Sequence, residues 1–143
     1  MLHTITQPNE YLLNLIKDDP VRPEIPLSDR VNSNSRIYVW KQGEETAAVT
    51  CVKFLGSVPA AVEDMADIVE SATTAVFYTI WSYAAGAGRV LIQEAQKSIE
   101  SEFPSIQTYV TLSPKTEMAR RFHLKNGARE LRENPNTINY IYK

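Results

Sequence analysis

Hydrophobic and polar positions divide the chain into an irregular first quarter and a strongly patterned remainder. Residues 8–19 predict a short helix with Tyr11, Leu12, Leu15 and Ile16 facing inward. Pro20, Pro23 and Pro26 then interrupt any regular structure, and residues 29–35 are polar. From Arg36 onward the pattern becomes regular. Residues 36–40 and 46–55 flank a polar turn around Gly43 and predict a hairpin. Val62, Met65, Ala66 and Val69 share one face of a helix predicted over 60–71, after Pro59. Residues 75–81 are apolar and aromatic nearly throughout, the mark of a strand buried on both faces. Leu91, Ile92, Ala95, Ile99 and Phe103 recur at helical spacing until Pro104 closes the run. Residues 106–112 alternate as a further strand. Residues 115–126 form a second amphipathic helix that Gly127 caps. A last strand pair, 128–132 and 137–142, turns around Asn134, Pro135 and Asn136.

This order predicts an α/β fold: one domain over 36–143 with a mixed sheet and flanking helices, preceded by a covering arm over 1–35. Its centre is the turn Tyr83-Ala84-Ala85-Gly86-Ala87-Gly88-Arg89, where the buried strand becomes an amphipathic helix. Glycine lets backbone approach a ligand closely, and the unpaired N–H groups that open a helix attract anions. The turn is therefore a candidate phosphate cradle, or alternatively a tight packing turn. Leu91 occupies the place of the third glycine of a dinucleotide-binding loop, which excludes that motif. The Gly-Lys-Ser/Thr of a phosphate-binding loop is absent as well.

Composition narrows the function classes. At 143 residues, 43% hydrophobic and 22% charged, the chain is an ordinary globular domain. A formal net charge of −2 gives no broad surface for nucleic acid or anionic membrane. Cys51 is alone, so there is neither an internal disulfide nor a cysteine cluster for zinc. It reads as a small buried side chain. No apolar run reaches membrane-spanning length, and residues 1–6 lack the layout of a signal peptide; the expectation is a cytoplasmic protein without a metal.

The element order and the glycine turn resemble the GNAT (acyl-CoA N-acyltransferase) superfamily. Within it, residues 36–143 look like the catalytic domain of malonyl-CoA decarboxylase. The segments that carry this are Phe77-Tyr78-Thr79-Ile80, Glu102-Phe103-Pro104, Thr111-Leu112-Ser113-Pro114, the run from Ala119 to Ala128 and Asn139-Tyr140-Ile141-Tyr142. The resemblance implies a single GNAT-like domain whose sheet is mixed and mostly antiparallel. It implies a coenzyme A thioester, acetyl-CoA or malonyl-CoA, as co-substrate. Its pyrophosphate would lie on Gly86, Ala87, Gly88 and Arg89, and its pantetheine arm beside Ile80, Trp81 and Ser82. Ser113, His123, Asn126 and Tyr140 match the family's active-site residues: His123, Ser113 and Tyr140 as catalytic candidates, Asn126 as a cofactor-side contact. Two departures stand out. Tyr83 occupies the position of the usual Arg or Gln of the turn, and no acid occurs among Ala85, Gly86 and Ala87, where the decarboxylases carry a glutamate.

Each candidate also has a plain structural reading. His123 can donate a proton near neutral pH, or simply bond a backbone carbonyl at the helix flank. Ser113 can cap the following helix, Tyr140 can pack on the sheet and Asn126 can suit a helix end. Arg120 and Arg121 fit an exposed helix face, whereas Arg89 opens the helix under the proposed phosphates. The expected activity is acyl transfer from an acyl-CoA to a small-molecule or peptide amine. Malonyl-CoA decarboxylation is the alternative enzyme, and a GNAT-like binding domain without turnover is the alternative of another class. The resemblance also implies pairing of two copies through the late strands.

Overall fold

In the computed structural model the described residues are 1–8, 10–66 and 69–143, without the side chains of Glu10, Leu12 and Leu13. The strands are β1 (Leu2–Ile5), β2 (Ser35–Gln42), β3 (Glu45–Leu55), β4 (Thr74–Ser82), β5 (Thr108–Thr111), β6 (Ser113–Pro114), β7 (Arg129–Glu133) and β8 (Thr137–Ile141). The helices are α1 (Glu10–Ile16), α2 (Leu27–Arg30), α3 (Ala87–Glu102) and α4 (Glu117–Lys125). One sheet runs β1-β2-β3-β4-β5-β8-β6, with β7 on β8. Only β4 and β5 are parallel; the other pairs are antiparallel. The fold is thus α/β with a mixed, mostly antiparallel sheet.

Two cores form, one on each face of the sheet. Leu15, Ile25 and Val31 pack with Val49, Val76 and Tyr78 under the N-terminal segment. Leu91, Ile92, Ala95 and Ile99 of α3 pack with Val52, Phe77 and Tyr109 on the opposite face. The strands are covered on both sides, which is why β4 reads as an unbroken apolar run. Cys51 is fully buried there, and burial pushes its thiol up to about 11. No helix among the described residues is long and apolar enough to cross a membrane.

Three expectations change. Regular structure begins at β1, which pairs Leu2 with Trp40 and Ile5 with Ile37, so the first residues belong to the sheet. In the helix expected over 60–71, only a 3₁₀ turn forms at Val62–Met65; Asp67 and Ile68 lie outside the described residues. Backbone groups there go to other partners. The Asp64 carboxylate accepts from the N–H groups of Ala60 and Ala61, and the Val69 carbonyl accepts from Asn34 Nδ2. In α1, Leu15 is buried as expected, but Tyr11 is exposed. The inward placement of Leu12 lies outside the described side chains.

Candidate functional site

The β4–β5 pairing is short. Thr74–Phe77 lie opposite Thr108–Thr111, and the Leu112 N–H bonds the Phe77 carbonyl at 3.2 Å. Beyond that point β4 runs on to Ser82, while the neighbouring chain turns away as β6 and pairs Ser113 with Ile138 of β8. The sheet therefore splits. A bulge sharpens the divergence, because Cys51 pairs with Thr79 and Val52 with Phe77, leaving Tyr78 without a partner on β3. Tyr78 and Thr79 consequently both serve the N-terminal face, Tyr78 in its core and Thr79 through a hydrogen bond to Asp19.

A cavity of about 530 Å³ occupies the split. Ile80, Trp81 and Ser82 line one side, and Leu112, Ser113 and Pro114 the other. Gly88, Phe122 and His123 close it from the helical face, and Pro20 and Val21 close it from the N-terminal face. Its mouth meets the start of α3. Gly86 there has φ +79°, a left-handed conformation that glycine adopts without strain, and it supplies no capping side chain. The Ala87 N–H bonds the Ala84 carbonyl at 3.2 Å, so among the described residues the Gly88 and Arg89 N–H groups are the ones left for an outside acceptor; no acid lies in that turn, and Arg89 is exposed beside it. Gly88 has a packing reason too. A Cβ at this position would sit 3.0 and 3.1 Å from ring carbons of Phe122, so any larger residue would have to push that ring back by a few tenths of an ångström. Tyr83 is fastened at the entrance: its hydroxyl accepts from Trp81 Nε1 at 3.0 Å and donates to Asp18 at 2.8 Å.

His123 lies on α4, which ends as a Schellman turn. Gly127 has φ +99°, and the Ala128 N–H bonds the His123 carbonyl at 3.0 Å. The ring is 4% exposed, Nδ1 lies 2.7 Å from Tyr142 Oη, and Phe122, Tyr140 and Tyr142 surround it. Burial pushes its pKa down to about 4. The imidazole is therefore neutral at pH 7, and the expected store of a proton near neutrality gives way to a neutral ring. It can act as a hydrogen-bond donor or acceptor.

Ser113 is buried, with Oγ 2.7 Å from Thr111 Oγ1, which itself accepts from the Tyr140 N–H at 3.1 Å. The helix cap considered for Ser113 belongs to Thr116, whose hydroxyl accepts from the Ala119 N–H. Tyr140 and Asn126 stand off the cavity. Tyr140 stacks behind His123 at 5.2 Å with its own hydroxyl buried, and Asn126 ends α4. His123, Ser113, Ile80, Trp81, Ser82 and Gly88 thus meet at one cavity; Gly86 and Arg89 are exposed beside Gly88 at the start of α3, whereas Ala87, expected against a phosphate, is buried in the core with its N–H on the Ala84 carbonyl.

Several contributors have no sequence signal of their own. Tyr142 engages His123 only through the register of β8. The N-terminal wall hangs on a buried ion pair, Arg30 Nη1 to Asp19 Oδ2 at 2.7 Å. Asp19 Oδ1 also accepts from the Val21 and Arg22 N–H groups and from Thr79 Oγ1. These two residues are eleven apart, and neither stands in a recognisable motif.

The site is thus a split α/β sheet with an apolar cavity in the split and a glycine-opened helix above it. No family model matches the sequence, and no curated protein does. Solved structures do match. The chain is similar to malonyl-CoA decarboxylase from Rhodopseudomonas palustris, with 31% identity and a TM-score of 0.65 over 89% of this chain and 33% of that one. For malonyl-CoA decarboxylase from Cupriavidus metallidurans the figures are 18%, 0.76, 99% and 60%. A Bacillus subtilis acetyltransferase in complex with CoA gives 13%, 0.63, 98% and 93%. The chain spans 33–60% of these two decarboxylases. It has the fold of the GNAT superfamily, which acetyltransferases and malonyl-CoA decarboxylase share.

Proposed function

We propose that this protein binds an acyl-CoA thioester in the gap between β4 and β5 and transfers its acyl group to a small-molecule or peptide amine. The observation that carries this reading is the continuity of the gap cavity with the uncapped, glycine-opened start of α3. A diphosphate suits the N–H groups and Arg89, and a narrow apolar arm suits the gap. Attack by the amine places negative charge first on the thioester oxygen and then on the departing sulfur. Both need donors already aimed at them. With the Tyr142 hydroxyl donating to Nδ1, His123 carries its hydrogen on Nε2 and serves as a neutral donor. With Thr111 donating to Ser113, the Ser113 hydrogen is likewise free for a ligand. Tyr140 and Asn126 act at one remove, by supporting the His123 ring and its helix.

The likeness to the Rhodopseudomonas palustris decarboxylase favours a second reading, decarboxylation of malonyl-CoA. The same two donors would then hold the enolate oxygen. Thermal unfolding with CoA, acetyl-CoA and malonyl-CoA tests the shared premise. A ligand at 100 times its dissociation constant adds about 2.7 kcal/mol. For a domain of this size that raises Tm by about 5–10 °C. Absence of a shift with all three removes both readings. Thiol release that depends on an added amine supports transfer, and CO₂ release from malonyl-CoA without an amine supports decarboxylation.

A further inference from the structure

Strand β5 meets β8 with Val110 opposite Ile141, and one step further toward the split, side chains complete the pairing. The Tyr140 N–H donates to Thr111 Oγ1 at 3.1 Å, and the Thr111 carbonyl accepts from Asn139 Nδ2 at 2.8 Å. Asn139 is itself fixed: it donates to the Pro59 carbonyl at 2.9 Å and accepts from Asn134 Nδ2 at 2.9 Å. Thr111 and Asn139 are both fully buried. Thr111 is thus clamped through its side chain and its main chain, with its hydroxyl oxygen 2.7 Å from Ser113 Oγ.

The direction of that last hydrogen bond follows from counting hydrogens. A hydroxyl carries one hydrogen and two lone pairs. One lone pair of Thr111 Oγ1 takes the Tyr140 N–H, and its hydrogen has Ser113 Oγ within reach. Were Ser113 to donate instead, the Thr111 hydrogen would be buried with nothing to accept it, which is costly. Ser113 Oγ therefore accepts. It forms no other hydrogen bond among the described residues, and it lines the main cavity, so its own hydrogen is left for what enters there. We infer that Thr111 is a positioning residue of the site: the Tyr140 N–H orients Thr111, and Thr111 holds the Ser113 hydroxyl as a donor for the thioester oxygen. This rests on the acyl-CoA reading and adds to it a residue that does not itself line the cavity. A donor set before the ligand arrives needs no reorganisation when charge develops on that oxygen.

Isotope-edited infrared spectroscopy of acetyl-CoA, labelled with ¹³C at the thioester carbonyl and bound to the full chain without an amine, tests this. Hydrogen bonds polarise a carbonyl, so its stretch should fall to lower frequency on binding. Ser113→Ala should return part of that shift. Thr111→Val, which keeps the shape and removes the hydroxyl, should return the same part, and the double variant should return no more than either. Thr111→Ser should keep the wild-type band, and Thr111→Cys, whose thiol is a weak donor, should fall between and serves if the valine variant does not fold. Acetyl-CoA affinity should stay within a few-fold of wild type throughout. A wild-type band in Thr111→Val, where Ser113→Ala loses it, overturns the inference: Thr111 then serves only the Tyr140 N–H, and the acyl-CoA reading stands. An unshifted band in wild-type protein whose Tm rises with acetyl-CoA overturns it as well, leaving thioester binding alone. No Tm rise with CoA or its thioesters overturns both, because no carbonyl then reaches Ser113.

Discussion

His123 sits inside a ring of aromatics, and its chemistry follows from what that enclosure does to charge. Water is excluded and no carboxylate compensates, so the imidazolium is disfavoured and the pKa falls from 6.5 to about 4. The sign of the linkage follows. Between these values the unfolded chain binds the proton and the folded chain does not, so stability is complete above pH 6.5 and declines as pH falls toward 4. The loss over that window should be on the order of 3 kcal/mol. Urea unfolding of wild-type protein and His123→Gln at several pH values measures it. The variant should lose most of this slope between pH 6.5 and 4, and equal slopes would show that the histidine titrates normally. Catalysis in which the ring acts as a neutral donor should likewise be level from pH 6 to 8. The residue itself was identifiable from Phe122-His123-Leu124 and its place before Gly127. Its protonation state was not, because that depends on Tyr140 and Tyr142, brought against it by a strand paired elsewhere in the sheet.

Among the elements, the segment from Asp19 to Arg30 departs furthest from its sequence appearance. Three prolines and a polar stretch read as a loose covering arm, yet the segment forms a wall of the main cavity and is held by an ion pair with no exposed side-chain surface. Arg30 also donates to the Ile25 carbonyl at 2.8 Å, and Asp19 receives three further hydrogen bonds, so both groups are compensated on several sides. Removing one partner leaves the other charged and buried. Asp19→Ala should therefore cost about 3–5 kcal/mol, while Asp19→Leu combined with Arg30→Met should cost less than the sum of the two single changes. Chemical denaturation of wild type, Asp19→Ala, Asp19→Leu, Arg30→Met and the double variant measures this, and additive losses would mean that the pair is not coupled. The longer elements were legible because apolar residues repeat at the right period: α3, α4, β3 and β4 lie where the pattern puts them. Strand β1 was not, since four residues containing His3 and Thr4 carry too little periodicity. The stretch after Pro59 has helical apolar spacing, but Asp64 and Asn34 take its described backbone groups out of helical pairing.

At the scale of the molecule, the sheet is two antiparallel halves joined through the short parallel contact of β4 with β5. The first half is β1 to β4 with α3 against it; the second is β5 to β8 with α4 on its flank. The split beyond Phe77 leaves a line along which few backbone hydrogen bonds cross, and the aromatic side chain of Phe122 spans it to reach Gly88. A thioester in the gap would touch Ile80 and Trp81 in one half and Ser113 in the other, while its diphosphate engaged the start of α3. Binding should thus act as a brace between the halves, suppressing local opening at the split more than elsewhere. Amide hydrogen exchange with and without CoA reads this directly. Protection should increase at Tyr78–Trp81, at Gly86–Val90 and around Leu112–Ser113, and it should change little in β1 and β2. Uniform slowing across the sheet would instead report global stabilisation alone. Slowing confined to Gly86–Val90 would mean that the ligand rests on the glycine turn without entering the gap, and the arrangement proposed for catalysis would then have no substrate in it.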